Sequence, residues 1–148
     1  MKKTVLFGAI AAVGLTAGMA TAGTLEDVLA NGELACGVST GSPGMSFPDK
    51  DGRWQGFDVG YCRALAGAVL GDGDAIKFVP LSSKTRFAAL SSGEIDVLSR
   101  NTTWTFSRDV DLKQTFVGIG YYDGQGFMVR KDLGVSSLLD MDGATICI

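Results

Sequence analysis

The sequence predicts an α/β fold built on a parallel sheet, and two observations support this prediction. Short apolar segments of strand character alternate along the chain with segments whose apolar residues recur at helical spacing, which is typical of successive βαβ units. The 21 glycines predict many tight turns, because a hydrophobic content of 46% is too high for a disordered chain.

The first predicted elements are a helix, a strand and a loop. The helix begins with Thr24, a good N-cap with Asp27 three residues on, and Gly32 can close it. ELACGVST predicts a buried strand. The stretch Gly41–Gly56 is rich in Gly, Pro, Ser and Asp, and therefore predicts a loop.

Helices and strands then alternate. GFDVGYCRALAGAVLG predicts a helix with Asp58 near its start, where the helix dipole favours an anion. AIKFVPL and EIDVLSR predict strands, and SKTRFAALSSG between them predicts a short amphipathic helix.

On that short helix, Phe87 and Leu90 are predicted to face inward, and Arg86 to lie on a helix face. The remaining segments predict, in order, a helical turn, a strand, a short helix and a final strand: WTFSRD, GQGFMVRK, VSSLLDMDG and ATICI.

The N-terminus is typical of a secretory signal peptide. Lys2 and Lys3 precede an apolar stretch, Val5–Leu15, and a small-residue A-x-A pattern follows it. The alternative is a membrane anchor, but a span needs about 20 apolar residues and this stretch is shorter. We therefore expect residues 1–22 to be a signal peptide, cleaved after Ala22, and the product to be exported to the periplasm.

Composition excludes several classes of function. The formal net charge is −3 and becomes more negative once the signal lysines are removed, which argues against a nucleic-acid partner. The absence of histidine removes Ser-His and Cys-His nucleophilic chemistry and the usual zinc sites. No cluster of residues has the spacing of a metal site, so neither a metal nor a cofactor is predicted.

Three cysteines are present, and export permits disulfides. Cys36, on a predicted strand, and Cys62, on the apolar side of the neighbouring helix, are either buried thiols or a disulfide, and both readings stay open. Cys147 lies in a final strand that has barely begun. We therefore expect the chain to be truncated at its C-terminus, with the partner of Cys147 in the missing part.

The segment NTTWTFSRD, residues 101–109, is the candidate binding site. It follows a strand whose carboxyl end should share one sheet edge with Ser39, and parallel α/β sheets bind ligands at that edge. Arg108 can form paired hydrogen bonds with a carboxylate, while the Asn101 carbonyl and the Thr103 hydroxyl can accept from a cation. These groups suit a small zwitterion. The alternative is a capped turn whose arginine pairs with neighbouring aspartates on the surface.

The chain also resembles a known family. GFDVGYCRALA, TRFAALSSGEIDVLSRNTTWTFSRD and FVGIGYYDGQGFMV, in this order and spacing, are similar to segments of the periplasmic solute-binding proteins of polar amino-acid ABC importers. The similarity is greatest to their general L-amino-acid-binding subfamily, and it covers nearly all of the chain after the signal peptide.

The resemblance implies a periplasmic-binding-protein type II fold, in which two α/β lobes close around a ligand. It places the first lobe at residues 23–122 and a hinge crossing at 123–126. The start of a truncated second lobe would occupy residues 127–148.

The resemblance also assigns roles to individual residues. Arg108 matches the arginine that binds the ligand's α-carboxylate, and Thr103 matches a hydroxyl residue that contacts the same group. Asn101 falls where a main-chain carbonyl receives the α-ammonium. Ser39 falls at the side-chain end of the pocket, where binders of cationic amino acids tend to have an acidic residue, and they tend to have an aromatic at the Ser42 position. The two serines imply a broad or polar-neutral preference.

The function implied is a non-enzymatic, monomeric carrier that delivers L-amino acids to an inner-membrane ABC permease. One alternative is an exported dehydratase or lyase acting on a small carboxylate. It would need an Asp or Glu as general acid or base in the cleft, since there is no histidine. Another is the ligand-sensing domain of a receptor, which would need a transmembrane helix downstream.

Overall fold

The computed structural model of the chain describes residues 23–124 and 126–145. They form two compact units, the first ending at Gln114 and the second beginning at Thr115. Within these residues no helix has the length and apolar character needed to cross a membrane. The predicted signal peptide, the end of ATICI and Cys147 lie outside the described residues.

Most regular elements of the first unit lie where the sequence predicts them. In chain order they are α1 (Thr24–Asn31), β1 (Leu34–Ser39), β2 (Phe47–Pro48), β3 (Trp54–Gln55), α2 (Phe57–Leu70), β4 (Ile76–Leu81), α3 (Arg86–Ser92) and β5 (Val97–Leu98). The antiparallel pair β2–β3 lies within the predicted loop and was not predicted.

Strand β1 is the centre of a parallel sheet with the order β4-β1-β5. On one side Ser39 is opposite Leu81 of β4, and on the other Gly37 is opposite Leu98 of β5. Because the three strands run in the same direction, their carboxyl ends lie at one edge of the sheet. The predicted α/β fold with a parallel sheet is confirmed.

The helices pack on the sheet through three clusters of buried side chains. A fully buried aliphatic side chain stabilises a fold by about 1.5–3 kcal/mol, so these contacts hold the helices in place. The cluster between β1 and α2 contains Cys36, Val38, Val59 and Cys62. The other two contain Val28, Leu34 and Ala66, and Leu81, Ala89 and Ile95.

The start of α1 differs from the prediction. Thr24 is the first helical residue, and Gly23 holds the N-cap position with no side-chain cap hydrogen bond. Gly23 has the extended backbone that a cap requires, and its carbonyl accepts from the Asp27 N–H at 3.1 Å. The capping role predicted for Thr24 is therefore wrong, whereas Gly32 ends the helix in a left-handed conformation as predicted.

The second unit contains short helical turns at Lys131–Leu133 and Leu138–Met141. The second turn confirms the predicted short helix, and a capping box between Ser137 and Asp140 opens it. GQGFMVRK forms no strand in its described residues, so that prediction is wrong. A strand needs a neighbour for its backbone hydrogen bonds, and the described part of this unit contains none.

A disulfide joins the central strand to the longest helix of the first unit. Cys36 of β1 and Cys62 of α2 are bonded, with their Cα atoms 6.1 Å apart, and both side chains are at most 1% exposed. The bond closes a loop between residues separated by 26 positions. It therefore restricts the unfolded chain across the segment that contains β2 and β3.

The backbone of a buried residue, Asp58, holds the loop that follows β1. Asp58, in the first turn of α2, donates its N–H to the Met45 carbonyl at 2.9 Å and accepts on its own carbonyl from the Ser99 hydroxyl at 3.1 Å. Burial raises the pKa of Asp58, while Arg100 and a hydrogen bond from Ser46 act in the opposite direction. Asp58 thus connects the loops after β1 and β5.

Reduction of the disulfide should lower the free energy of unfolding of the mature protein by about 3 kcal/mol, because the loop that it closes gains conformational entropy in the unfolded state. Urea unfolding before and after reduction measures this change. Non-reducing peptide mapping should show Cys36 and Cys62 in one linked peptide. An unchanged unfolding midpoint after complete reduction of this pair would contradict the expectation.

The pH dependence of stability should change in Asp58→Asn. Since the folded-state pKa of Asp58 lies above its unfolded value of about 3.9, the folded state holds the proton more tightly. The advantage of the wild type over the variant should therefore be largest below the unfolded pKa and decline as pH rises through the folded pKa. Urea unfolding at several pH values measures this difference, with exposed Glu33→Gln as the matched control. A difference that increases with pH would overturn the assignment.

Candidate ligand-binding site

The loops after β1, β4 and β5 leave the sheet at the same edge. Ser39 ends β1 opposite Leu81 at the end of β4, and Ser99, just past β5, donates its N–H to the Gly37 carbonyl at 3.0 Å. The prediction that Ser39 and the segment NTTWTFSRD begin at one carboxyl edge is confirmed. This edge is where parallel α/β sheets bind ligands.

Arg100 ties the loop after β5 to the end of β4. Its Nη1 donates to the Leu81 carbonyl at 2.5 Å, and its Nη2 donates to the Ser83 hydroxyl at 3.4 Å. Its Nε and Nη2 also donate to Oδ1 of Asn101, at 3.2 and 2.8 Å. Arg100 therefore fixes the side chain of Asn101, a role that the sequence did not reveal.

Arg86 contacts the main chain of the same residue. Its Nη1 donates to the main-chain carbonyl of Asn101 at 3.2 Å, and its guanidinium lies 4.8 Å from the centre of the Phe87 ring. Arg86 is only 6% exposed, and its buried Nε has no hydrogen-bond partner among the described residues. Arg86 was predicted to lie on a helix face, but it is buried in the first turn of α3, as is Ala89 one turn later. Leu90 packs against the buried cluster of Leu81, Ala89 and Ile95, which confirms that it faces inward, and Phe87 is half-buried.

Arg108 lies in the π-helical turn Ser107–Asp111, which confirms the helical turn predicted there. Its Nη1 donates to the Thr103 carbonyl at 2.6 Å, and its guanidinium lies 5.5 Å from the centre of the Phe87 ring. The Asp109 carboxylate accepts from the Trp104 indole at 2.8 Å. The surface ion pair considered for Arg108 is not found among the described residues.

The charges of two neighbouring arginines act on the guanidinium of Arg86. Burial lowers the pKa of Arg86 most, and the charges of Arg100 and Arg108 lower it further. Burial also lowers the pKa of Arg100, whereas the carboxylate of Asp58 acts to raise it. The salt bridges of the described residues involve other arginines. This edge of an acidic chain is thus positively charged and favours an anion.

The structure brings Asn101, Thr103 and Arg108 together in one loop and turn. Asn101 and Thr103 are exposed, and Arg108 is half-buried. Ser39 is buried at the same sheet edge, where its N–H donates to the hydroxyl of Ser46 at 3.0 Å. The described residues contain no group of three or more acidic or cysteine side chains that could hold a metal ion.

Arg86 was missed, although one signal could have found it. A helix that follows a parallel strand starts at the carboxyl edge of the sheet, so its first turn lies beside the ligand-binding loops. Arg86 is the first residue of α3, which follows β4. The place of Arg86 at the start of a helix that follows a parallel strand therefore predicts that it lies beside the ligand-binding loops, whereas its position on the helical face does not.

The sequence matches a family described as bacterial extracellular solute-binding proteins, family 3, over residues 34–137. It is 58% identical over 148 residues to the glutamate/glutamine/aspartate/asparagine-binding protein of Rhodobacter capsulatus. It is 54% identical over 150 residues to the general L-amino acid-binding periplasmic protein of Rhizobium johnstonii. Both matches cover 100% of this chain and 44% of the relative, so the chain spans less than half the length of these proteins.

A solved structure shows the same fold. The ABC transporter periplasmic binding protein from Brucella ovis, with glutathione bound, is 56% identical and matches with a TM-score of 0.80. The match covers 86% of this chain and 40% of that one. These comparisons confirm the fold and the family that the sequence motifs resemble. The chain belongs to the bacterial extracellular solute-binding proteins of family 3.

Proposed function

We propose that the complete protein is the extracytoplasmic binding component of an ABC importer for L-amino acids. The observation that carries this proposal is the segment from Asn101 to Arg108, which places a guanidinium, hydroxyls and main-chain carbonyls at the carboxyl edge of the sheet. Two relatives that share more than half of their aligned residues with this chain are named for amino-acid binding, which supports the proposal.

Arg108 binds the α-carboxylate of the ligand in this proposal. A guanidinium has five N–H donors, and the described contacts of this one engage Nη1 with the Thr103 carbonyl. That contact fixes the side chain and leaves donors for a paired, charge-assisted interaction with a carboxylate. The exposed hydroxyl of Thr103 donates to the same carboxylate.

Asn101 receives the α-ammonium, and Ser39 lines the side-chain end of the pocket. A carbonyl oxygen has two lone pairs, and Arg86 occupies one of them on Asn101, so the second remains for the ligand. Glutathione, bound in the Brucella ovis structure, also carries an α-carboxylate and an α-ammonium. The same contacts would accept a peptide of that kind.

We further propose the lobes and partner of the complete protein. Residues 23–122 belong to the first lobe, 123–126 to the hinge crossing and 127–148 to the start of the second lobe. A ligand that contacts both lobes favours the closed state, which an inner-membrane ABC permease then recognises. The protein acts in the periplasm as a monomer after cleavage following Ala22.

Asp58 is the carboxylate that the enzyme alternative would use, since its pKa is raised and it lies near the site. Its position indicates a structural role instead. Asp58 is 8% exposed, and its backbone connects the loops after β1 and β5. The relatives named above are binding proteins. We therefore propose that the protein has no catalytic activity.

Arg108→Ala should weaken amino-acid binding by the mature full-length protein about 30-fold or more, because losing one partner of a desolvated charge pair costs about 2–5 kcal/mol. Arg108→Lys should recover little of this loss, since an ammonium lacks the paired geometry of a guanidinium. Calorimetric titration with the twenty L-amino acids measures both effects. Arg53→Ala, at an exposed ion pair, is the matched control. Wild-type affinity in a folded Arg108→Ala variant would refute the carboxylate role.

Thr103→Val should weaken binding of the same amino acids about tenfold, because it removes one hydrogen bond to a charged group and keeps the side-chain volume. The main-chain carbonyl that holds Arg108 is unchanged in this variant. The titration should therefore show a smaller loss than for Arg108→Ala. An effect below twofold would show that the hydroxyl does not contact the ligand.

A further inference from the structure

Asparagine or aspartate precedes glycine at five positions of the chain: Asn31, Asp51, Asp72, Asp123 and Asp142. In such a pair the glycine nitrogen can attack the side-chain carbonyl carbon of the residue before it, which closes a succinimide ring. Glycine favours this reaction, because it has no Cβ to restrict the backbone torsions that ring closure needs. The fold then decides which of the five pairs reacts.

The first two pairs are protected by backbone hydrogen bonds of their glycines. In the first pair, the Gly32 N–H donates to the Val28 carbonyl at 2.9 Å, where α1 ends. In the second, the Gly52 N–H donates to the Asp49 carbonyl at 3.0 Å. Attack requires the nitrogen to lose its proton and turn toward its neighbour's side chain, so each of these bonds would have to break first.

The third and fifth pairs lack the contact that the reaction needs. In the third, Oδ1 of Asp72 accepts from the Asp74 N–H at 2.8 Å, which holds the carboxylate in a local turn. In the fifth, the Gly143 N–H makes no hydrogen bond to the Asp142 carboxylate among the described contacts, although both residues are exposed. The fifth pair is therefore an exposed reference for the remaining one.

The fourth pair, Asp123–Gly124, brings the two reacting groups into contact. The Gly124 N–H donates to Oδ1 of Asp123 at 2.7 Å. Both residues are exposed, and residues 115–124 contain no helix or strand that would hold the backbone. A Cβ built on Gly124 would meet nothing within 4 Å, so there is open space around the glycine for the ring. The carboxyl group thus lies against the nitrogen that attacks it.

We propose that Asp123 is a site of spontaneous isomerisation to isoaspartate. The Gly124 nitrogen forms a bond to the carboxyl carbon of Asp123, and the hydroxyl of the carboxylic acid leaves with the amide proton as water. Hydrolysis of the succinimide adds water back. It breaks either the new bond, which restores aspartate, or the original peptide bond, which leaves isoaspartate. No oxidant, reductant or cofactor takes part, and the mass is unchanged.

Isomerisation changes the main chain at this position. In isoaspartate the backbone runs through Cβ and the former carboxyl carbon, so it gains one atom, and the former main-chain carboxyl group becomes the side group. Residues 123–126 are the hinge crossing that we propose, and the change would lengthen that crossing. This consequence rests on the proposed lobes, whereas the modification itself does not depend on the proposed function.

The test is to age the mature full-length protein in neutral buffer, both folded and unfolded in urea, and to locate isoaspartate by peptide mapping and by an isoaspartate-specific methyltransferase. In urea, Asn31 should react first, since its uncharged amide is a better target for the nitrogen than a carboxylate. In the folded protein the order should invert, with Asp123 reacting before Asn31, Asp51 and Asp142. The same order in both states would overturn the proposal, and so would an absence of isoaspartate at position 123 of the folded protein, whether or not the protein binds amino acids.

Two variants test the ring mechanism in the folded protein. Gly124→Ala should slow isomerisation at Asp123 about tenfold, because a Cβ restricts the backbone torsions of ring closure. Asp123→Glu should abolish it at this position, since the longer side chain would form a larger ring. Asp142→Glu is the matched control and should leave the rate at Asp123 unchanged. In water enriched in heavy oxygen, each isoaspartate at position 123 should carry one labelled oxygen from ring opening. Conversion without label, or at an undiminished rate in Gly124→Ala, would contradict the mechanism.

Discussion

The parallel pairing of β1 with β4 and β5 determines where the functional groups of the first unit lie. Strand β1 is central, and its side chains join two of the buried clusters, while the Cys36–Cys62 disulfide links it to α2. Because all three strands run in one direction, the loops that follow them and the first turn of α3 meet at a single edge. Any change that reversed or shifted one strand would separate Arg86, Asn101 and Arg108.

Positive charge at this edge is fixed by backbone carbonyls rather than by carboxylates. Arg100 donates to the carbonyl of Leu81, Arg86 to that of Asn101, and Arg108 to that of Thr103. Carbonyl groups orient a guanidinium without neutralising it, so the edge keeps its attraction for an anion. Carboxylate partners would have produced an equally ordered but electrically neutral site. This choice of acceptors connects the local structure to the carboxylate binding that we propose for Arg108.

Chain order and periodicity were sufficient to predict the fold class, most element positions and the shared edge. The elements follow from the local pattern of apolar residues, and the shared edge follows from the common direction of parallel strands. The burial of Arg86 was not predictable from helical periodicity, which places a charged residue on the surface. Arg86 is buried because its acceptor, the Asn101 carbonyl, comes 15 positions later in the chain. The disulfide likewise depends on the packing of α2 against β1, which the spacing of Cys36 and Cys62 does not fix. The hairpin of β2 and β3 is too short to produce an alternating pattern.

The most direct test of this account is a crystal structure of the mature full-length protein with a bound L-amino acid. The distance between the ligand's α-carboxylate oxygens and the Arg108 guanidinium nitrogens is the quantity to measure. The account predicts two contacts at about 2.7–2.9 Å, the usual range for charge-assisted hydrogen bonds. An α-carboxylate bound elsewhere, with Arg108 still donating only to Thr103, would contradict it.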